Sequence, residues 1–385
     1  MAIDKPLTEI PRNIDEILGE EEEIQIEIVN PDSVTMKTED GGVIIDFDPE
    51  ATAQEETEFS DNLADFLDDS DLSSVAFDLV GSYLSDKNSR KDWEESYVKG
   101  LDQLGLKIEE RTSPWDGACG VTHPILSEAV VRFQSQSVGE IFPPGGPVKT
   151  KIVGKITDEK FKQSQRIQEF MNYLTLEVMT EYRSETEKLL FSLPLAGSAF
   201  RKVYWDPNMG RPCSMFIPSE DLVVSYGASS LTTCERITHV MKTTKNDIRK
   251  LQVGGFYRDV DLSNATPTEG TVQEKYNELT GESPSYDADS RHTVLEMHVD
   301  LDLPGFEDTD DSGEETGIAL PYVVTIDFGS NTVLSIRRNW MEDDPKKIRR
   351  EHFVHYEYVP GIGFYGFGLV HMIGGLAKSA TSILR

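Results

Sequence analysis

Cysteine is scarce here: Cys119, Cys213 and Cys234 are the three in 385 residues. An odd number without metal-type spacing argues against a disulfide framework or a zinc cage and points to synthesis in a reducing compartment. No apolar run approaches the roughly 20 residues that a membrane helix needs, and no basic-then-apolar leader opens the chain. The expectation is a soluble protein without an address. Phosphate cradles are missing too. There is no G-x-x-x-x-G-K-[ST], and no G-x-G-x-x-G follows a strand, which removes the ATP-driven motor and the dinucleotide enzyme. Neither G-x-S-x-G nor H-E-x-x-H occurs, so the commonest hydrolase elbow and zinc-protease signals are absent.

Positive charge is also in short supply, with 37 basic against 69 acidic residues and a net charge of −32. The imbalance is uneven. Met1 to Asp71 holds 23 Asp and Glu against Lys5, Arg12 and Lys37, so this head contributes −20 and the rest −12. Such a surface repels a phosphate backbone, and no long Lys/Arg run offers a footprint for counterion release. It suits a wall past which nucleic acid slides better than one that grips it.

What remains is patterned. Residues 1 to 70, with the run Glu20 to Glu23 and only short apolar clusters such as Val43 to Ile45, are expected to be disordered apart from brief strands. From Asp78 to Gly105, Leu79, Tyr83, Trp93, Tyr97, Leu101 and Leu104 predict two short helices. A third starts at Pro124 and stops before Pro143-Pro144-Gly145-Gly146-Pro147. Apolar residues three and four apart from Asp158 to Leu193 predict one long amphipathic helix or a broken pair. Beyond Gly197 strands are expected at 199–205, 214–217, 222–225 and 237–242, as one small antiparallel sheet. Thr243 to Asp247 reads as the capped entry to a short helix ended by Gly254-Gly255, and 263–291 as polar loop. A second β region follows at 293–301, 322–328, 333–338 and 352–358.

Candidate chemistry is thin. Asp308, Asp310, Ser312 and Gly313 imitate half of a calcium loop, but Ala319 stands where a bidentate Glu is required. His352 and His355 fall on opposite faces of a predicted strand and read as ordinary strand histidines. Asp46 and Asp48 share a face in a head where carboxylates are simply abundant. Trp93, Trp115, Trp205 and Trp340 lack a basic groove and read as core. No cofactor or metal is expected.

The end of the chain is the most informative. A Gly-aromatic hinge (Gly361, Gly363, Phe364, Tyr365, Gly366, Phe367, Gly368) opens into a helix. Leu369, Ile373, Leu376, Ala380 and Ile383/Leu384 form a stripe with a period of about seven, which needs a partner. Gly374, Gly375, Ala377 and Ser379 beside it allow another backbone to come close. No capping residue follows Leu384, so the helix is expected to continue in a longer protein.

Several segments resemble the portal (head-to-tail connector) proteins of tailed phages, particularly the long-chain portals of short-tailed phages. They are Ser89 to Glu94 with Tyr97 and Gly100, Arg111 to Leu126 leading through Phe133 and Gln134, Glu140 to Thr150, Gly197 to Pro207, Phe216 to Gly227, Cys234 to Met241 and Phe364 to Arg385. Their order and number, over about residues 72 to 385, make the likeness specific.

The resemblance implies an α+β fold of wing, stem and clip regions, with a helical wing at 71–195 and a small sheet with a short helix at 196–292. A β-rich clip-like region at 293–360 and the start of a stem helix at 361–385 would follow. It further implies a non-catalytic homo-oligomeric ring, usually dodecameric, at one capsid vertex of the virion, assembled in the host cytoplasm. DNA would pass through its channel during packaging and ejection, while terminase, coat and scaffolding proteins and the tail adaptor dock on it. The subunit interface is expected at Leu369, Ile373, Leu376, Ala380 and Leu384. Two other readings stand beside it: a metal-dependent hydrolase using Asp308/Asp310/Asp311 or Asp46/Asp48, and an acidic scaffolding or adaptor protein acting through residues 1 to 70.

Overall fold

The computed structural model describes residues 35–37, 43–45, 57–106, 115–206, 209–262, 270–281, 291–309 and 315–385. The chain divides into two compact units, Met1–Asp61 and Asn62–Arg385. In the first, β1 (Thr35–Lys37) pairs antiparallel with β2 (Val43–Ile45), Thr35 opposite Ile45. Most of the head expected to be disordered, including Glu20 to Glu23, Asp46 and Asp48, lies outside the described residues.

The second unit starts earlier than Asp78, where the apolar pattern begins. Asn62 is buried and pairs twice with a strand far along the chain, donating to Leu334 O (3.3 Å) and accepting from Ile336 N (2.9 Å). Helix α1 (Asp69–Ser89) follows, with Asp69 and Asp71 in its first turn, where carboxylates favour the helix dipole. It buries Leu72, Ala76, Leu79, Val80 and Tyr83 and passes at Arg90 into α2 (Lys91–Leu101). Next comes α3 (Ile125–Ile141). The long amphipathic pattern is a broken pair: α4 (Asp158–Tyr173), one π turn at Leu174–Val178, and α5 (Tyr182–Ala196), stopped by Gly197 in the left-handed region.

Strands β3 (Ser198–Asp206), β4 (Arg211–Ile217), β5 (Leu222–Val224) and β6 (Arg236–Thr244) lead to α6 (Lys245–Val253), whose cap Thr244 accepts from Asp247 N at 3.2 Å. Helix α7 (Thr271–Thr280) lies within the stretch read as polar loop. Then come β7 (Arg291–Leu301), β8 (Leu320–Asp327), β9 (Thr332–Arg338), β10 (Phe353–Glu357) and α8 (Leu369–Leu384). The fold is thus α+β with antiparallel sheets. Among the described residues no helix is long and apolar enough to cross a membrane.

The strands do not sort into the two expected regions. β5 to β9 form a five-stranded sheet in sequence order, while β10 returns to pair with β3 in a three-stranded sheet β10-β3-β4. β6 pairs with β7, and β10 with β3, across the expected boundary at residues 292/293. Long-range pairing of this kind leaves no mark on local periodicity, and the strands expected as one small sheet are divided between two, β3 and β4 in one and β5 and β6 in the other.

A buried polar network ties the two sheets together. Lys202 of β3 places Nζ 2.6 Å from both carboxylate oxygens of Glu296 on β7, and Glu296 also meets His298 Nε2 at 2.9 Å. Asn339 joins His298 to His352, whose Nε2 lies 3.2 Å from Asn339 Oδ1. Burial opposes ionisation of Glu296, yet Lys202 and His298 outweigh it and hold its carboxyl well below the usual range. The hollow beside this network measures about 10 Å³, at the lower limit for one water and far too small for a substrate. His355 is elsewhere, against Ser198 Oγ (3.0 Å) and in ring contact with both Phe200 (4.6 Å) and Phe364 (4.8 Å), so the two strand histidines do not meet.

Candidate subunit interface and the junction that holds it

The junction at the start of α8 begins with glycines whose missing side chains let two backbones cross. A Cβ on Gly197 would lie 2.3 Å from Gly366 O, and one on Gly368 would lie 2.3 Å from Leu195 O. Contacts below about 3 Å leave room for nothing but hydrogen, so the end of α5 and the hinge are in direct backbone contact. Hydrogen bonds fasten the crossing: Tyr358 N donates to Gly197 O (2.9 Å), Phe367 N to Val359 O (2.8 Å) and Gly366 N to Ser198 Oγ (2.8 Å). The segment read as a hinge is a locked corner.

Aromatic rings and one arginine complete it. Phe364 stacks on His355 at 4.8 Å, Tyr365 on Trp93 at 4.7 Å, and Trp93 on Tyr97 at 5.6 Å. Arg90, 6% exposed, donates from Nη1 to Ser219 O and Leu222 O, both at 2.8 Å, and to the Tyr365 hydroxyl at 2.9 Å. Its Nη2 donates to Glu220 O, while Nε lies 3.0 Å from Glu94 Oε1 without the alignment of a hydrogen bond. Burial opposes this charge, but Tyr365 and Glu94 more than compensate and the guanidinium stays protonated. One side chain therefore joins α2, the β4–β5 turn and the corner before α8.

The corner aims α8. His371 Nδ1 accepts from Gly368 N (3.1 Å), satisfying an otherwise free helix-entry donor. Further along, Thr381 Oγ1 accepts from His123 N (3.1 Å), and Arg385 Nε donates to Val121 O (2.9 Å). Val370 is buried, and Leu369 and Ile373 half-buried, against Tyr97, Leu101, Leu126, Val130 and Leu195, and Ala377 is buried further along the helix. Gly100 makes this possible, because a Cβ there would lie 2.0 Å from Val370 Cγ1.

The expected interface stripe therefore divides. Leu369 and Ile373 pack on this chain's own core and Ala380 is half-buried, whereas Leu376 (66%) and Leu384 (51%) are exposed. At 3.6 residues per turn these five positions form one strip, which runs along the edge between the covered face, with Val370 and Ala377, and the bare one. The exposed face is Met372, Leu376 and Ile383, at i, i+4 and i+11, and a strict 3.6-residue period would have found it. Gly374 and Gly375 have no heavy atom within 4 Å of a built Cβ. Helix α8 is apolar on two faces, and the chain covers one of them.

The metal candidates gain no support from geometry. Asp308 is paired with Lys347 and accepts from Thr316 Oγ1 at 2.7 Å, while Asp310, Asp311, Ser312 and Gly313 lie outside the described residues. Among the described residues no three His, Cys, Asp or Glu side chains gather to hold a metal ion. No protein-family model matches the chain, and no curated protein matches it.

Proposed function

We propose that this chain is a structural subunit of a portal-type ring, whose copies associate through the exposed face of α8 around a channel that DNA traverses. The observation that carries the reading is the pair of apolar faces on α8, one packed inside the subunit and one bare, on a helix aimed by a locked corner. An apolar helix face wants a cover, and the bare face of α8 finds none within this subunit's described residues. The segments that resemble portals support the reading, since Ser89 to Gly100, Gly197 to Pro207, Phe216 to Gly227 and Phe364 to Arg385 converge on this one junction. The acidic balance of the chain suits a channel that must let DNA pass. In this reading terminase, coat, scaffolding and tail adaptor proteins are the docking partners, and the chain itself performs no catalysis.

Light scattering combined with negative-stain imaging tests the proposal. The expected result is a homo-oligomer with a central hole, reduced to monomers of unchanged circular dichroism by Leu376→Asp with Ile383→Asp. Monomers in the unaltered protein over the whole accessible concentration range, or rings indifferent to both substitutions, would remove it.

A further inference from the structure

A second bare surface lies far from α8 in sequence. Helix α4 buries none of its residues. The extended segment before it folds back along it, Val148 N donating to Asn172 Oδ1 (2.9 Å), Asn172 Nδ2 to Val148 O (3.2 Å), and the Thr150 and Ser164 hydroxyls meeting at 2.7 Å. The result is a two-layer arm held by its own polar contacts. On it Ile167, Phe170, Met171 and Leu174 follow the i, i+3, i+4, i+7 rule of a helix face that covers something, yet Phe170 is 61% and Ile167 47% exposed.

Charge says what would cover it. Val148 to Leu174 holds Lys149, Lys151, Lys155, Lys160, Lys162 and Arg166 against Asp158, Glu159 and Glu169, an excess of three positive charges in a chain of net −32. All six cations are exposed, and none is in an ion pair among the described residues. The complement of a basic, apolar arm is an acidic surface, and the remainder of this same chain provides one. We infer that the arm of one copy docks on the acidic surface of a neighbouring copy, a second inter-subunit contact besides α8. The inference rests on the reading that copies of this chain associate. The aliphatic and aromatic face at helical spacing fits a protein partner, because a phosphate backbone would use the six cations and leave Ile167 and Phe170 in water. A segment already hydrogen-bonded to its helix within the subunit also gives up less entropy on docking than a free one.

Two variants of the full chain are compared with the unaltered protein and with Leu376→Asp. One is Ile167→Asp with Phe170→Asp, and the other Lys155→Glu with Lys160→Glu and Lys162→Glu. Since α4 buries nothing, both should keep their circular dichroism. Association is followed by mass photometry at about 0.05 M and about 0.5 M salt. Carbodiimide cross-links are mapped in a mixture of light- and heavy-isotope protein. The expected result is light-to-heavy cross-links from Lys155, Lys160 or Lys162 to carboxylates, and at least about tenfold weaker association in both variants. The charge variant should lose the salt dependence. Oligomers that form equally well in both variants, with no light-to-heavy cross-link from the arm, would overturn the arm contact and leave the ring reading standing. An unaltered protein that stays monomeric overturns both. A charge variant that associates normally but loses binding to a single-stranded oligonucleotide would assign the arm to nucleic acid and overturn the proposal as stated.

Discussion

Gly197 and Gly366 touch backbone to backbone: a Cβ on the first would lie 2.3 Å from the carbonyl oxygen of the second, and a Cβ on Gly366 2.6 Å from Gly197 O. Gly197 also has φ of 90°, which side-chain-bearing residues rarely adopt. Gly197→Ala thus combines backbone strain with a clash that no rotamer change relieves. We expect a loss of about 3 kcal/mol in urea unfolding. Gly374→Ala in α8 is the control, because nothing crowds its Cβ position and helix propensity alone should stabilise the free subunit by up to about 1 kcal/mol. If a neighbouring helix approaches there, the same substitution weakens association while it strengthens the subunit.

Arg90 gives a second test at the same corner. Arg90→Ala leaves the carbonyls of Ser219, Glu220 and Leu222 and the Tyr365 hydroxyl without their shared donor, and Glu94 without its cation. The expected cost is about 3–5 kcal/mol in denaturant unfolding. Arg90→Lys should recover only a minor part, since a single ammonium cannot reach acceptors spread around a planar fork. Trp93, stacked on Tyr365, reports the change through its fluorescence. Near-wild-type stability in the Lys variant would mean that charge rather than geometry matters at this position.

Much of this was legible along the chain and some was not, for identifiable reasons. The helices with local stop signals read directly: Pro143-Pro144 after α3 and Gly254-Gly255 after α6. Helix α7 escaped because only Val272, Tyr276 and Leu279 mark its inner face within a polar segment. The burial of Arg90 had no local signal, since Ser-Arg-Lys-Asp reads as surface and its acceptors lie about 130 residues away. The glycine cluster at 361–368 was visible as a backbone special case. What it crosses, Leu195 to Gly197, depends on tertiary structure that no window of residues contains.

Buried histidines and buried carboxyls should give stability opposite pH dependences between about pH 4 and pH 7. Burial lowers His239, His352 and His355 to about 4. The unfolded chain, with ordinary imidazoles near 6.5, binds the extra protons in between. Their contribution is complete above about pH 6.5 and lost as pH falls toward 4. Glu220 and Asp221 run the other way. Burial raises them to about 7 and about 6, so their contribution is complete below about pH 4 and lost as pH rises to about 7. Between about pH 4 and pH 7 the two terms oppose each other, and above about pH 7 neither has a slope. Glu220→Gln should steepen the net rise of Tm across that window, and His239→Gln should flatten it. A profile unchanged in the Glu220→Gln variant would show that this carboxyl does not titrate there.

The thiols report on burial independently. Cys119 is exposed, whereas Cys213 and Cys234 are buried and burial pushes both thiols up. In native protein a maleimide should label Cys119 within minutes and the other two only at the rate of unfolding. Prompt labelling of Cys234 would contradict the packing of β6 against Phe353 and Phe364.

The Lys202–Glu296 pair allows the sharpest test, because both groups are largely withdrawn from water and join different sheets. A buried pair gains little over apolar residues of equal volume, but losing one partner strands the other's charge in a poor solvent. Lys202→Met should therefore cost about 3–5 kcal/mol, most of it from the unpaired Glu296 carboxylate. Adding Glu296→Leu removes that carboxylate, and we expect the double variant to be at least about 1.5 kcal/mol more stable than Lys202→Met alone. His298 would then lose the acceptor on its Nε2 and keep only its link to Asn339. That residual loss is why recovery should be incomplete. If the double variant is no more stable than the single one, the network as a whole, through His298, Asn339 and His352, carries the coupling between the two sheets, and the Lys–Glu contact is only its most visible part.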